Sequence, residues 1–288
     1  LKFSGINIRL FAPLFSTYTF YLGRRLHRKV VVADAKVALV GGINIADKYH
    51  GSTTEKPWLD YAVQLNGEIA KPLQQLCRDK YFKKRELKNT KIKSTFQIQN
   101  DTSVRILQND WLKGKNEICD GYIKSIRQAK KEIIIIGSYF LPGIRIIQAL
   151  KKASKNKVTI KLILSGKSDL PMTRRATCFL YDKLLKYNIE LYEWDQSVLH
   201  GKVAVIDENW STIGSFNLNN LSSYGSLEMN VEIRSRSFSS EFRTHLNGVI
   251  SQCQSITKES LKTKTTIMTK FINLFSYVIT RMIELVVT

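Results

Sequence analysis

From residue 118 to residue 198 the apolar positions switch repeatedly between two spacings. In "ICDGYIKSIRQAKK" the residues Ile118, Tyr122 and Ile126 fall four apart, which is the spacing of one helix face. "EIIIIGSYF" follows as an unbroken apolar run of β-branched residues and predicts a buried strand. "IRIIQALKKASKN" then predicts a helix, "VTIKLILSG" a second buried strand, "RRATCFLYDKLLKYN" a helix and "IELYEW" a strand. Strand alternating with helix predicts an α/β sandwich with a mostly parallel sheet and helices on both faces. "HGKVAVID" predicts one further strand, paired with "STIGSFN" across a short Asp207-Glu208-Asn209 turn.

The polar positions of that last hairpin occur twice in the chain. "LHGKVAVIDENWSTIGSFN", residues 199–217, carries His200, Lys202, Asp207, Gly214, Ser215 and Asn217. "LHRKVVVADAKVALVGGIN", residues 26–44, carries His27, Lys29, Asp34, Gly41, Gly42 and Asn44. The offsets along His, Lys, Asp, Gly and Asn are two, five, seven and three in both. A five-point pattern of this kind does not recur by chance, so the chain reads as an internal duplication. The first copy is short: "GINIRLF" and the motif hairpin stand without the strands and helices that precede His200. Leu1 is therefore an expected truncation point. The charge-dense "KYFKKRELKNTKIKSTFQ", residues 80–97, loses its apolar stripe after Phe82, as a helix running into a connection does. The expected layout is a partial first repeat over 1–90, a linker over 91–117, a second repeat over 118–255 and a tail over 256–288.

In that tail, "TKFINLFSYVITRMIELVVT" has polar residues three or four apart at Lys270, Asn273, Ser276, Thr280, Glu284 and Thr288. The rest is nearly all apolar, which predicts an amphipathic helix with a broad greasy face. Arg281 and Glu284 make it too charged for a membrane span. It fits a helix lying in a membrane interface and a helix packed on the core or on a partner chain equally well. Composition narrows the partner. A hydrophobic content of 43% over 288 residues supports one large or two modest cores. A formal net charge of +21 requires an acidic partner: nucleic acid, an anionic membrane surface or a phosphorylated substrate. Cys77, Cys119, Cys178 and Cys253 are scattered without a CxxC pair, which argues against a zinc site or a disulfide framework and fits a reducing compartment.

Residues two apart on a strand share a face, so His200 and Lys202 project together, as do His27 and Lys29. Asp34 and Asp207 complete the motif but point the other way, which favours a turn or ion-pair role. The Gly-Gly or Gly-Ser pair lets backbone approach a ligand, and Asn44 or Asn217 adds an amide donor. Two copies facing each other surround one centre with two imidazoles, two ammonium groups and two amides. That centre suits a phosphodiester and needs neither metal nor cofactor. Lys29, Lys202, Gly42, Asn44, Ser215 and Asn217 can hold phosphate oxygens as charge builds on phosphorus. One imidazole attacks phosphorus to give a phosphohistidine. The other protonates the leaving alcohol and then deprotonates the acceptor. His27 is taken as nucleophile and His200 as acid/base, with the reverse left open. Asp60 in "WLDYAVQL" and Glu228 in "LEMNVEI" are candidates to orient the imidazoles. Arg174-Arg175 fits a lipid phosphate contact or a solvated helix face, Tyr139 and Phe140 an acyl channel or the core, and His50 and His245 the surface.

The duplicated HxKx4Dx6G(G/S)xN pattern resembles the HKD signature of the phospholipase D superfamily. "SYFLPGIRIIQALKKAS", "LILSGKSDLPMTRRA", "LHGKVAVIDENWSTIGSFNLNNLSS" and "LEMNVEI" are similar to the second half of bacterial cardiolipin synthases. The likeness covers about residues 5–255. It departs from the usual Asn-Leu-Asp at Asn217-Leu218-Asn219. It implies two phospholipase D-like α/β repeats related by a pseudo-twofold, and transfer of a phosphatidyl group between phospholipids to give cardiolipin. It implies anionic phospholipids and a membrane surface as partners rather than nucleic acid, at the cytoplasmic side of a bacterial cell membrane. A phospholipase or nuclease on the same scaffold and a non-catalytic anionic-lipid-binding protein are the alternatives. Against a nuclease, no aromatic residues interleave the basic runs as a base-stacking platform.

Overall fold

The computed structural model of the chain describes residues 4–11, 15–16, 19–20, 25–82, 95–97, 102–110 and 114–287. The charge-dense residues 83–94 lie outside these. In chain order, the first half holds β1 (Phe15–Ser16), β2 (Thr19–Phe20), β3 (Arg25–Leu26), β4 (Lys29–Ala33), β5 (Val37–Gly41), β6 (Ala62–Asn66) and α1 (Ala70–Tyr81). Next come β7 (Thr95–Gln97), β8 (Ser103–Asp110), β9 (Lys115–Asn116), α2 (Glu117–Gln128), β10 (Glu132–Gly137), α3 (Ile144–Lys155), β11 (Thr159–Lys167), α4 (Pro171–Phe179), α5 (Tyr181–Lys186) and β12 (Glu190–Val198). The second motif hairpin follows as β13 (Lys202–Ile206) and β14 (Trp210–Gly214), then β15 (Ser226–Arg234), α6 (Arg236–Ile250), β16 (Gln254–Ile256), α7 (Lys258–Lys264) and α8 (Ile267–Val287).

The large sheet runs β16-β12-β11-β10-β13-β14-β15-β8-β7, with β3 added to β15 and β9 to β8. It is α/β, as the alternation predicts, but mixed rather than mostly parallel. The ladders β10–β11 and β11–β12 are parallel, while β13, β14, β15, β8 and β16 all join antiparallel. The physical reason is the motif hairpin: a short turn returns the chain beside itself, and no crossover helix intervenes. Residues 103–110, expected within a linker, instead form β8, whose Val104, Ile106 and Leu107 are buried against β15. Residues 6–10, part of "GINIRLF", carry no regular structure.

The four isoleucines of β10 explain its unbroken apolar run. Ile133 and Ile135 face a core shared with α2, α3 and α5, while Ile134 and Ile136 face a second core on the other side of the sheet. Each such burial stabilises by roughly 1.5–3 kcal/mol. The second core includes Ala38 and Val40 of β5, Val63 and Leu65 of β6, and Leu73 and Leu76 of α1. The separate three-stranded sheet β4-β5-β6 thus packs on one face of the large sheet, and helices alone do not cover that face.

Both motif hairpins turn the same way. Asp34 and Ala35 have φ of 52° and 53°, and Asp207 and Glu208 both have φ of 52°. Lys36 N–H donates to the Ala33 carbonyl at 2.9 Å, and Asn209 N–H to that of Ile206 at 3.2 Å. Two successive left-handed residues match the right-handed twist of the flanking strands, and Asp tolerates that conformation better than most side chains.

Candidate active site

Each motif histidine is placed by a short parallel bridge to the other half of the chain. Leu26 pairs with Leu227 and Leu59 with Leu199. His27 N–H donates to the Leu227 carbonyl at 3.1 Å, and His200 N–H to the Leu59 carbonyl at 2.8 Å. The residue after each bridge is a histidine on one strand and a carboxylate on the other. His27 Nδ1 therefore lies 2.9 Å from Glu228 Oε2, and His200 Nδ1 lies 2.6 Å from Asp60 Oδ2. The pairing is crossed: each imidazole takes its carboxylate from the opposite repeat. Both carboxylates are expected orienters, and a carboxylate only accepts, so each Nδ1 carries a hydrogen and each Nε2 is left for chemistry.

The two motif strands lie in different sheets. β4 belongs to the three-stranded sheet and β13 to the large one. Gly137 at the carboxyl end of β10 pairs with Lys202, so the second half-site sits where parallel strands end, the usual place for ligands in such sheets. Lys29 Nζ donates to the His27 carbonyl at 2.8 Å, and Lys202 Nζ donates to the His200 carbonyl. Asp60 and Glu228 both act on each lysine, and Lys29 acts on Lys202 and His200, so the groups form one centre.

Burial sets the electrostatics. It lowers Lys202 from 10.5 to about 7 and Lys29 to about 8, against the pull of the two carboxylates. It lowers His200 to about 4, more than the Asp60 hydrogen bond raises it. Burial opposes charge on Glu228, yet His27, Ser215 and Lys29 together hold its carboxyl below the usual range. The two imidazoles differ in access: the His27 side chain is 31% exposed and that of His200 is 7% exposed.

Ser215 is engaged within the protein: its hydroxyl donates to Glu228 Oε2 at 2.5 Å and accepts from the Met229 N–H at 3.1 Å. Gly42 makes room instead of binding: a Cβ there would lie 2.3 Å from Asp60 Oδ1. Asp207 is outside the centre, its carboxylate accepting from the N–H groups of Lys130, Lys131 and Glu132 at 2.5–2.9 Å. Asp34 is exposed in its turn. The reason is the strand alternation that sends both aspartates away from the histidines. Asn44 donates to the Tyr49 hydroxyl at 2.9 Å, and Asn217 accepts from Ser138 Oγ at 3.0 Å. Arg174 is tied to the Gly166 carbonyl and Glu193 rather than solvated, and Phe140 is core.

Three aromatic residues complete the surroundings. The Tyr49 hydroxyl is 3.0 Å from His200 Nδ1, and the rings of Trp58 and Tyr139 lie 5.7 and 5.9 Å from that imidazole. Tyr139 donates to Asp169 at 2.6 Å. Neither Tyr49 nor Trp58 belongs to the repeated pattern. Their only sequence signal is position, between Asn44 and Asp60 in one loop.

Known proteins resemble this chain in sequence and in fold. Residues 122–250 match the family described as "Cardiolipin synthase, PLD-like domain". The chain is 35% identical over 274 residues to cardiolipin synthase B of Escherichia coli K12, covering 92% of this chain and 66% of that protein. It is 30% identical over 273 residues to the minor cardiolipin synthase ClsB of Bacillus subtilis 168, with the same coverage of each. The chain thus spans just under two thirds of the length of these relatives. A crystal structure of phosphatidylserine synthase from Haemophilus influenzae Rd KW20 superposes with a TM-score of 0.67 at 15% identity, over 89% of this chain and 69% of that one, a likeness of fold. With both halves of the motif present and the relatives aligned along most of its length, the chain belongs to the cardiolipin synthase family of phospholipase D-like proteins.

Proposed function

We propose that the chain is a phosphatidyltransferase that forms cardiolipin from phosphatidylglycerol through a phosphohistidine. The observation that carries this reading is the crossed pair of imidazoles, each with Nδ1 held by a carboxylate, beside the buried Lys202 and the half-buried Lys29. A phosphodiester anion between Lys29 and Lys202 adds to the negative charge of Asp60 and Glu228 and so favours the protonated form of both lysines. Asn44 contributes an amide from the exposed side and Asn217 one from the buried side.

The inequality of the histidines supports an order of events opposite to the first assignment. His200 is neutral at physiological pH, so its Nε2 attacks phosphorus. A P–N bond forms as the bond from phosphorus to the glycerol oxygen breaks, and His27, beside the buried Glu228 anion, gives its proton to that oxygen. His27 then takes a proton from the hydroxyl of a second phosphatidylglycerol, whose oxygen attacks phosphorus and releases His200. In this reading the second repeat begins at β8 rather than at Ile118. The work takes place at a membrane surface, and the free cysteines support the cytoplasmic face of a bacterial membrane.

Incubation with labelled phosphatidylglycerol tests the reaction: cardiolipin and glycerol are expected, and phosphatidic acid as the only product overturns transfer in favour of hydrolysis. A phosphatidyl ester of nitrophenol, whose leaving group needs no acid, tests the roles. His27→Asn should release one equivalent of nitrophenol and retain the phosphatidyl label on the protein, while His200→Asn should do neither. The opposite result returns the nucleophile to His27.

A further inference from the structure

Helix α8 is amphipathic in the reverse sense of a water-facing surface helix. Its polar residues Asn273, Ser276, Thr280 and Glu284 are all buried. Met268, Phe271, Phe275, Met282 and Leu285, on the other side, are 57–73% exposed. A surface helix in water shows the opposite arrangement, and an apolar patch of this extent marks a site of contact. Arg281 and Glu284 fasten the helix down. Arg281 donates to the carbonyls of Leu141 at 3.1 Å and Pro142 at 2.7 Å, and to Glu284 at 2.9 Å. Glu284 in turn meets the backbone N–H groups of Asn220 and Leu221. Tyr277 stacks on Phe179 of α4 with ring centroids 4.8 Å apart.

These attachments go to the two loops that border the active site. Tyr139, against His200, precedes Leu141, and Asn217 precedes Asn220. The neighbouring surface extends the apolar face, with Leu170 and Met172 at the start of α4 and Leu221 and Tyr224 in the second loop all 39–48% exposed. Lys262, Lys270 and Arg175 are exposed on α7, α8 and α4. No described helix is long and apolar enough to cross a membrane.

We propose that the outward face of α8 seats in the interface of an anionic lipid bilayer and thereby sets the mouth of the active site against the lipid surface. The occupant follows from charge: a second copy of a chain with net charge +21 repels this one, whereas an anionic bilayer attracts it. Buried apolar side chains plus a basic surround are the two signals that stable interfacial binding needs. The proposal rests on the reading that the substrates are membrane lipids, and it names the element that reaches them.

The test compares the full chain with a Phe271→Ser/Phe275→Ser variant. Both side chains are 67% exposed, so the thermal melt should be unchanged. Flotation with vesicles of phosphatidylcholine and phosphatidylserine in equal parts should show at least a roughly tenfold loss of binding in the variant. Turnover of lipid presented in vesicles should fall in step, and turnover of a short-chain phosphodiester below its micellar concentration should not change. Equal vesicle binding by both proteins overturns the proposal. So does a wild-type dimer that the double substitution converts to monomer, because the face would then belong to a second copy. Wild-type protein that floats through this face but converts no lipid supports the anchor and overturns the transferase reading.

Discussion

Lys202→Met should make the protein more stable and nearly inactive. Lys202 is 2% exposed, donates to the His200 carbonyl and lies near Asp60 and Glu228. Even with both carboxylates attracting it, burial brings its pKa from 10.5 to about 7. A tenfold change in a proton equilibrium is about 1.4 kcal/mol, so keeping this lysine charged in the folded state costs about 5 kcal/mol. Methionine has similar length and no charge, but it also withdraws a cation from two buried carboxylates. A net gain of about 2 kcal/mol is expected, raising Tm by roughly 4–6 °C. Activity should fall by at least ~10³ as phosphate loses a partner. The pH dependence fixes the cause. The unfolded lysine holds its proton up to 10.5, while the folded one releases it near 7. Between those values the unfolded state binds more protons, so wild-type stability rises with pH. The methionine variant's advantage of about 2 kcal/mol is therefore full below pH 7, is cancelled about 1.5 pH units higher and reverses toward pH 10. Urea denaturation of both proteins at about pH 6 and about pH 10 measures this. A variant less stable than wild type at the lower pH, or equally advantaged at both, refutes the reasoning.

Other expectations concern the crossed carboxylates. Asp60→Asn should lower turnover by about 10²- to 10⁴-fold and shift the imidazole resonances of His200 by NMR, and Glu228→Gln should do the same to His27. Shifts that follow the uncrossed pairing contradict the arrangement. Gly42→Ala places a Cβ 2.3 Å from Asp60 Oδ1, so the carboxylate or the backbone must move. A stability loss of about 1–3 kcal/mol and a turnover loss of at least tenfold are expected, read by thermal melting and product formation. An alanine variant with wild-type behaviour shows that Asp60 does not need that space.

Much of the centre was legible because its chemistry rides on short-range patterns. The i, i+2 spacing put His and Lys on one strand face, and the repeated offsets marked them as a pair. Asp60 and Glu228 stood out as acidic residues in strand-like stretches. The pairing was not legible, because the bridges Leu26–Leu227 and Leu59–Leu199 join residues 201 and 140 positions apart. The carboxylates beside Ser215 and Gly42 were not legible for the same reason. A small residue after the motif glycine fits a close ligand and a close carboxylate equally, and only the third dimension distinguishes them. The alternation of strand and helix identified an α/β fold but could not give strand direction around β13, where a short hairpin reverses the chain. For α8, periodicity showed two faces and could not say which one turned inward.

The crossing also explains why a duplicated motif serves one reaction with two unlike histidines. Neither repeat can set the tautomer of its own imidazole, because the carboxylate it carries lies against the other one. The halves then reach equivalent support by different means. Glu228 Oε2 accepts from His27 and from the Ser215 hydroxyl. At the matching place in the first half, Gly42 has no side chain to offer, and the second donor to Asp60 is the backbone N–H of Tyr61 at 2.8 Å. The Gly42 position leaves space for the Asp60 carboxylate to come against the deeply buried His200, whereas the longer Glu228 reaches out to the more open His27. One imidazole is thereby kept dry and the other reachable by solvent. A nucleophile gains from being held neutral, and a group that shuttles a proton gains from ready exchange between its two states. The substitution of Ser for Gly between two otherwise matching motifs supports that division of labour.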